Sequence, residues 1–121
     1  DESQPLSNLR IVIGVLLWFL GQLINLYHHK LLADLRSDGK KEYKLPRGGF
    51  FPFICCPHYF GELVGWFGYA TVFYHPYGFS LFVMMSFYLA GRSQATLKWY
   101  QERFPKNKLH PNWKALVPFM F

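Results

Sequence analysis

The side chains of this chain that could do chemistry are ionisable or amide groups set at helical spacing within apolar stretches. Gly21, Asn25, His29 and Arg36 fall near one helix face, because side chains about four or seven positions apart share a face. His58 and Glu62 stand one turn apart, and Arg92, Thr96 and Tyr100 repeat that interval. Glu62 is the only carboxylate within the apolar stretches. An ionised carboxylate there needs a partner or a watered cavity, since alone it would become neutral. Ionisable groups inside membrane spans commonly face a cavity or one another. Three polar stripes therefore predict one shared cavity, with Glu62 within reach of His58 or Arg92 and facing the same space as Asn25. Plainer roles stand beside this one. His29 and Arg36 could lie at headgroup depth, Arg92 could extend its head to water along an apolar stem, and Glu62 with Arg92 could be a structural pair.

Other chemistries fail on spacing. Cys55, Cys56, His58 and Glu62 cluster, but the spacing matches no zinc pattern and adjacent cysteines seldom ligate one ion together. No metal ligand is assigned. The chain has no nucleophile elbow, dinucleotide glycine fingerprint or Walker loop. Pro46-Arg47-Gly48-Gly49 reads as a turn that lets backbone approach closely, rather than as a phosphate cradle in itself.

Hydropathy supplies the elements that carry these residues. The run Leu9 to Tyr27 is broken only by Arg10, Gln22 and Asn25. About 20 mostly apolar residues cross a bilayer as a helix. That helix continues to Arg36, where Ser37, Asp38 and Gly39 end it. It is no secretory signal, lacking a basic leader and a small-residue cleavage site. The polar segment KKEYKLPRGG forms a loop. A second helix starts at Pro57, a favourable first position, and reaches about Tyr74. His75-Pro76-Tyr77-Gly78 makes a turn. A third helix runs from about Phe79 to Tyr100, apolar as far as Ala90, and a basic tail ends in ALVPFMF, apolar enough to meet the membrane interface again. Gly61 and Gly65, with Gly68 beyond, predict close helix packing within the chain. The expected fold is an all-α membrane protein: residues 1–121 as one domain with about three transmembrane helices, a cytosolic loop and a basic C-terminal tail.

Composition and charge agree. Hydrophobic residues make up 51% and aromatics 21%, including 13 Phe and 8 Tyr, against 17% charged. That is more ring surface than so short a chain encloses, so a bilayer or a partner must cover it. It excludes a disordered chain. Two adjacent cysteines exclude a disulfide scaffold. The net charge of +6 is concentrated in the first loop and the tail, whereas the opposite side holds only Arg10 with Asp1 and Glu2. The positive-inside rule puts the loop and C-terminus in the cytoplasm and the N-terminus outside. Topology thus accounts for the charge, and nucleic acid is not an expected partner. A chain opening on Asp1 is expected to have lost a leader or to be the later part of a longer one.

The blocks GQLINLYHHKLLADLR, EYKLPRGGFF, CCPHYFGELVGWFGYA, AGRSQATLKWYQERFP and KALVPFMF, in that order, resemble the C-terminal half of the steroid 5-alpha-reductase family. They are particularly similar to its plant-type members, the 3-oxo-5-alpha-steroid 4-dehydrogenases. Polyprenol reductases share the PHY element, and very-long-chain enoyl-CoA reductases share the general plan. The resemblance implies a membrane enzyme, in the endoplasmic reticulum, that uses NADPH to reduce a carbon–carbon double bond conjugated to a carbonyl in a lipid. Carried over by position, the cofactor contacts would be Asn25, Arg36, Tyr43, His58, Glu62, Arg92 and Tyr100. Guanidinium forks at Arg36 and Arg92 suit the cofactor's phosphates, with Lys44 or Arg47 as looser charges. Asn25 and Glu62 suit the carboxamide or a ribose hydroxyl. His29 stands where the best-studied steroid reductases have Asp, His58 where they have Asn, and Thr96 where they have His.

The family's proton-donating Tyr and its partner belong to the N-terminal half, so no catalytic residue is assigned here. The expected partners are membrane lipids and either that N-terminal half or other membrane subunits. The alternative expectation is a non-catalytic accessory subunit, keeping this helix bundle as a scaffold in a respiratory or photosynthetic complex of an organelle inner membrane.

Overall fold

A mostly apolar sequence with no proline beyond Pro5 in its first turn carries the chain from Ser3 to Arg36 as a single helix of 34 residues, α1. The computed structural model describes residues 3–36, 44–118 and 120–121. At 1.5 Å per residue α1 is about 51 Å long, well beyond the ~30 Å hydrocarbon core of a bilayer. It is the one helix among the described residues long and apolar enough to cross a membrane. Leu9, Val12, Leu16, Phe19, Leu23 and Leu26 are all exposed along it.

Proline opens both remaining helices. α2, Pro57–Phe73, begins with Pro57 and stops at Tyr74, whose left-handed backbone (φ 46°) directs its N–H to the Ala70 carbonyl at 2.8 Å. α3 spans Pro76–Arg103, so it starts earlier than the expected Phe79, and the expected four-residue turn is corrected. The reason is local: Pro76 needs no intrahelical donor, and His75 caps the end by accepting the Tyr77 N–H on Nδ1 at 3.2 Å.

α2 lies between α1 and α3, whose backbones do not pack against each other. The α1–α2 contact is backbone against backbone. A Cβ placed on Gly61 would sit 2.6 Å from the Asn25 nitrogen, and one on Gly68 would sit 2.6 Å from the Gly14 oxygen. Both approaches are possible only for glycine. On its opposite side α2 meets α3 through Phe67 against Phe82, ring centres 5.5 Å apart, and Ala70 against Gly78. Arg10 locks the far end of the pair. Its guanidinium donates to the Thr71 carbonyl and, at 2.7 Å, to that of Val72, and it lies 4.7 Å over the Tyr74 ring.

The most buried part of the protein is a cap at the other end, made by the segment before α2 and the segment after α3. Cys55 and Cys56 donate their N–H groups to Lys114 and Ala115 at 2.9 and 3.2 Å, and Lys114 returns one to Phe53 at 3.1 Å. The Trp113 indole donates to the Phe51 carbonyl at 2.5 Å, and His110 donates to Pro46 at 3.1 Å. Phe51, Ile54, Cys55, Cys56, Ala115 and Leu116 are enclosed. The ALVPFMF tail, expected to meet a membrane interface, spends Ala115 and Leu116 on this cap and leaves Met120 and Phe121 exposed. Pairing with residues 53–56 satisfies its backbone, which an extended tail would leave to water.

Candidate functional site

The glycine contact sets the register of α1 on α2, and that register brings Asn25 to the first turn of α2. Asn25 Nδ2 donates to the His58 carbonyl at 2.9 Å. The rings of His29 and His58 face each other with centres 4.9 Å apart. His58 Nδ1 is buried with no hydrogen-bond partner among the described residues. Buried polar atoms are paired as a rule, so an orphan of this kind asks for a ligand or water. One turn further along, Glu62 lines a cleft of about 260 Å³ with Trp18, Gln22, Asn25, Gly65, Trp66 and Tyr69. Its electrostatic neighbour is His29. The cleft therefore offers a carboxylate acceptor and two amides between indole and phenol rings, with the unpartnered His58 imidazole beside Asn25. Such a set suits a ligand with amide and hydroxyl groups on a flat ring.

Asn25, His58 and Glu62 are thus brought together, as the stripes require. The expectation of one cavity shared by all three helices is corrected. α1 and α3 pack on opposite sides of α2, so Arg92 does not line the cleft, and among the described residues no ion pair joins it to Glu62. Arg92 is exposed on α3, with Tyr59 and Tyr88 as electrostatic neighbours. Tyr100 packs against Trp113 at 5.2 Å, with Arg36 close enough to act on its hydroxyl electrostatically. Tyr43 lies outside the described residues. Lys44 and Arg47 line a separate cleft of about 630 Å³ with Arg103, Lys108 and the apolar Leu35, Leu45, Phe104 and Pro105.

Two residues escaped the sequence reading. His28 is almost fully buried: Nδ1 donates to the Ile24 carbonyl at 2.7 Å, and Nε2 accepts the Phe50 N–H at 3.0 Å. The Pro46–Gly49 turn exists to make that contact, because a Cβ on Gly49 would lie 2.5 Å from Nε2. Both glycines have positive φ, 91° and 53°. The signal available was the paired glycine, which demands a partner at close range. Tyr59 is the other, and its neighbours become visible only in three dimensions. Among the described residues, no group of three or more His, Cys, Asp or Glu is placed to hold a metal ion. The Cys55 thiol is pushed up by its hydrogen bond with Cys56 and by burial, and so stays protonated.

The family model described as 3-oxo-5-alpha-steroid 4-dehydrogenase matches residues 1–121. The chain is 37% identical over 120 residues to the steroid 5-alpha-reductase DET2 of Gossypium hirsutum, covering 99% of this chain and 46% of that protein. It is 39% identical over 116 residues to 3-oxo-5-alpha-steroid 4-dehydrogenase 1 of Bos taurus, covering 95% and 44%. Against the protein of that name in Homo sapiens it is 35% identical over 113 residues, covering 93% and 42%. The chain spans less than half the length of these relatives.

Proposed function

Because the chain belongs to the 3-oxo-5-alpha-steroid 4-dehydrogenase family, we propose that it is the NADPH-binding portion of a membrane reductase that reduces a carbon–carbon double bond conjugated to a carbonyl in a lipid. The observation that carries this reading is the cleft lined by Asn25 and Glu62, beside a buried His58 imidazole whose Nδ1 has no partner among the described residues. Its donor set fits the cofactor. Glu62 accepts from the carboxamide or a ribose hydroxyl, and Asn25 and His58 fix the orientation. Arg36 and Arg92, on the cap side, take phosphate oxygens with their planar forks. Tyr43 and Tyr100 complete the set by family position. NADPH, when bound, supplies the hydride, and the chain supplies placement beside the Trp18 and Trp66 rings. The acid that protonates the substrate comes from the remainder of the protein.

Membrane insertion follows the same reading. α2 is 17 residues, about 25 Å, and lies alongside the apolar part of α1 from Arg10 to Asn25. In this reading three spans, with the N-terminus outside and the cap on the cytosolic side of an endoplasmic reticulum membrane, would set the cleft in the cytosolic leaflet, just below the cap.

The test is NADPH binding to the full-length native protein in detergent or nanodiscs, by fluorescence titration. Glu62→Gln keeps the shape and is expected to weaken binding roughly tenfold, the loss of one good hydrogen bond to a charged acceptor. Equal affinity in the variant would sink the assignment. The accessory-subunit alternative is favoured by a cleft left open on its flank, and it predicts no dinucleotide binding at all, with Glu62→Gln altering assembly only.

A further inference from the structure

Four basic side chains line one cleft of about 630 Å³ on the cap side of the bundle. Lys44 and Arg47 come from the segment before α2, Arg103 is the last residue of α3, and Lys108 follows it. Backbone geometry gathers the last two. The Phe104 N–H donates to the Tyr100 carbonyl at 3.0 Å, and the Lys108 N–H donates to the Pro105 carbonyl at 2.9 Å, so a tight turn returns Lys108 to the cleft that Arg103 lines. Leu35, Leu45 and Phe104 of the same lining are half-buried, whereas the four cations are exposed. Neither Asp34 nor Glu102, the chain neighbours of Leu35 and Arg103, lines the cleft, and among the described residues no carboxylate, amide or hydroxyl side chain does. Cations over apolar surface suit a phosphate that carries hydrocarbon. With no amide or hydroxyl group in the lining, the cleft lacks what holds a ribose or a base edge.

Its depth points the same way. Leu35 is the penultimate residue of α1, eight residues past the end of the apolar run at Tyr27. That is about 12 Å along the axis, so the hydrocarbon core ends between them and the headgroup layer begins. Beside the cleft the Arg103 guanidinium lies 4.6 Å over the half-buried Trp99 ring, and tryptophan and arginine are residues that settle at headgroup level. We propose that this cleft binds the phosphate headgroup of an anionic phospholipid of the cytosolic leaflet, with the apolar residues against its glycerol and first acyl carbons. Basic clusters just beyond a membrane helix recognise such lipids by charge. The assignment rests on the membrane reading above and is independent of the cofactor.

The experiment uses the delipidated full-length protein in neutral detergent, with bound lipid counted by native mass spectrometry. The probes are dioctanoyl phosphatidylserine, dioctanoyl phosphatidylcholine and inorganic phosphate. Phosphatidylserine is expected to bind at least tenfold more tightly than phosphatidylcholine, and less tightly as salt rises. Lys108→Gln should weaken phosphatidylserine roughly fivefold, and Arg103→Gln with Lys108→Gln roughly twentyfold, with phosphatidylcholine unmoved. Should loss of the Trp99 stack unfold the double variant, Lys108→Gln alone decides. A preference for phosphatidylserine that survives these changes would overturn the proposal. Inorganic phosphate competing as well as the lipid would mean a free-anion site and would overturn it too, as would variants that lose NADPH affinity but keep the lipid. If topology tags contradict the three spans while the variants still lose phosphatidylserine, the lipid site stands and the span count falls.

Discussion

His28 and His29 are adjacent, yet the fold gives them opposite tasks. His29 faces His58 at the edge of the cleft, whereas His28 is a neutral latch. The Ile24 carbonyl can only accept, so the proton sits on Nδ1 and leaves Nε2 to receive the Phe50 N–H. His28→Ala would leave that N–H without its partner. The variant should lose about 1–3 kcal/mol of stability, seen as a lower unfolding midpoint in detergent and faster proteolysis between residues 44 and 50. An unchanged midpoint would show that the latch contributes nothing. The two cysteines make a second test at this scale. A free thiol near its usual value of about 8.5 alkylates faster as pH rises from 7 to 9. Cys55 is raised, so its neutral form persists through that window, and both thiols are enclosed. N-ethylmaleimide should label neither at pH 7 or 9 until the protein is denatured. Rapid labelling of the native protein would mean that the cap opens readily.

At the scale of elements, glycine contacts and one arginine decide how α1 sits on α2. Gly61→Leu would push a side chain into the Asn25 backbone, and the helices would have to separate. Such overpacking costs at least 1–3 kcal/mol and would displace Asn25 from the His58 carbonyl. The expected result is loss of both assembly and dinucleotide binding, read by size-exclusion chromatography and titration. Normal assembly would place that face toward lipid instead. Arg10→Met removes two bonds to the last carbonyls of α2 and the stack on Tyr74. Its effect should appear as faster hydrogen exchange in the last turn of α2, with the cleft at the other end unaffected. The sequence showed Arg10 as an interruption in an apolar run. That it caps a helix about 60 positions away could not be read there.

For the whole molecule, the prediction is topological. Tags at the N-terminus and within residues 44–49 should report opposite sides of the membrane, and labelling from the same side would remove the three-span arrangement. Much of the architecture was legible beforehand because it follows from local rules. Apolar length made α1 a candidate span, proline at first positions opened α2, and the glycine spacing foretold an interface. The helical spacing that marked Asn25 and Glu62 converts sequence distance into a shared face, and the structure sets both in one cleft. The remainder depended on which faces of α2 its neighbours chose. Gly61, Gly65 and Gly68 point to α1, whereas Phe67 and Ala70 point to α3. Opposite attachment divides the expected single cavity into a cleft at Asn25 and Glu62 and a separate position for Arg92. The cap, too, was invisible in the sequence: a backbone pairing between residues 53–56 and 114–115 joins segments some 60 positions apart. Periodicity records which residues share a face, but only packing determines which face meets which, and there the site acquires its shape.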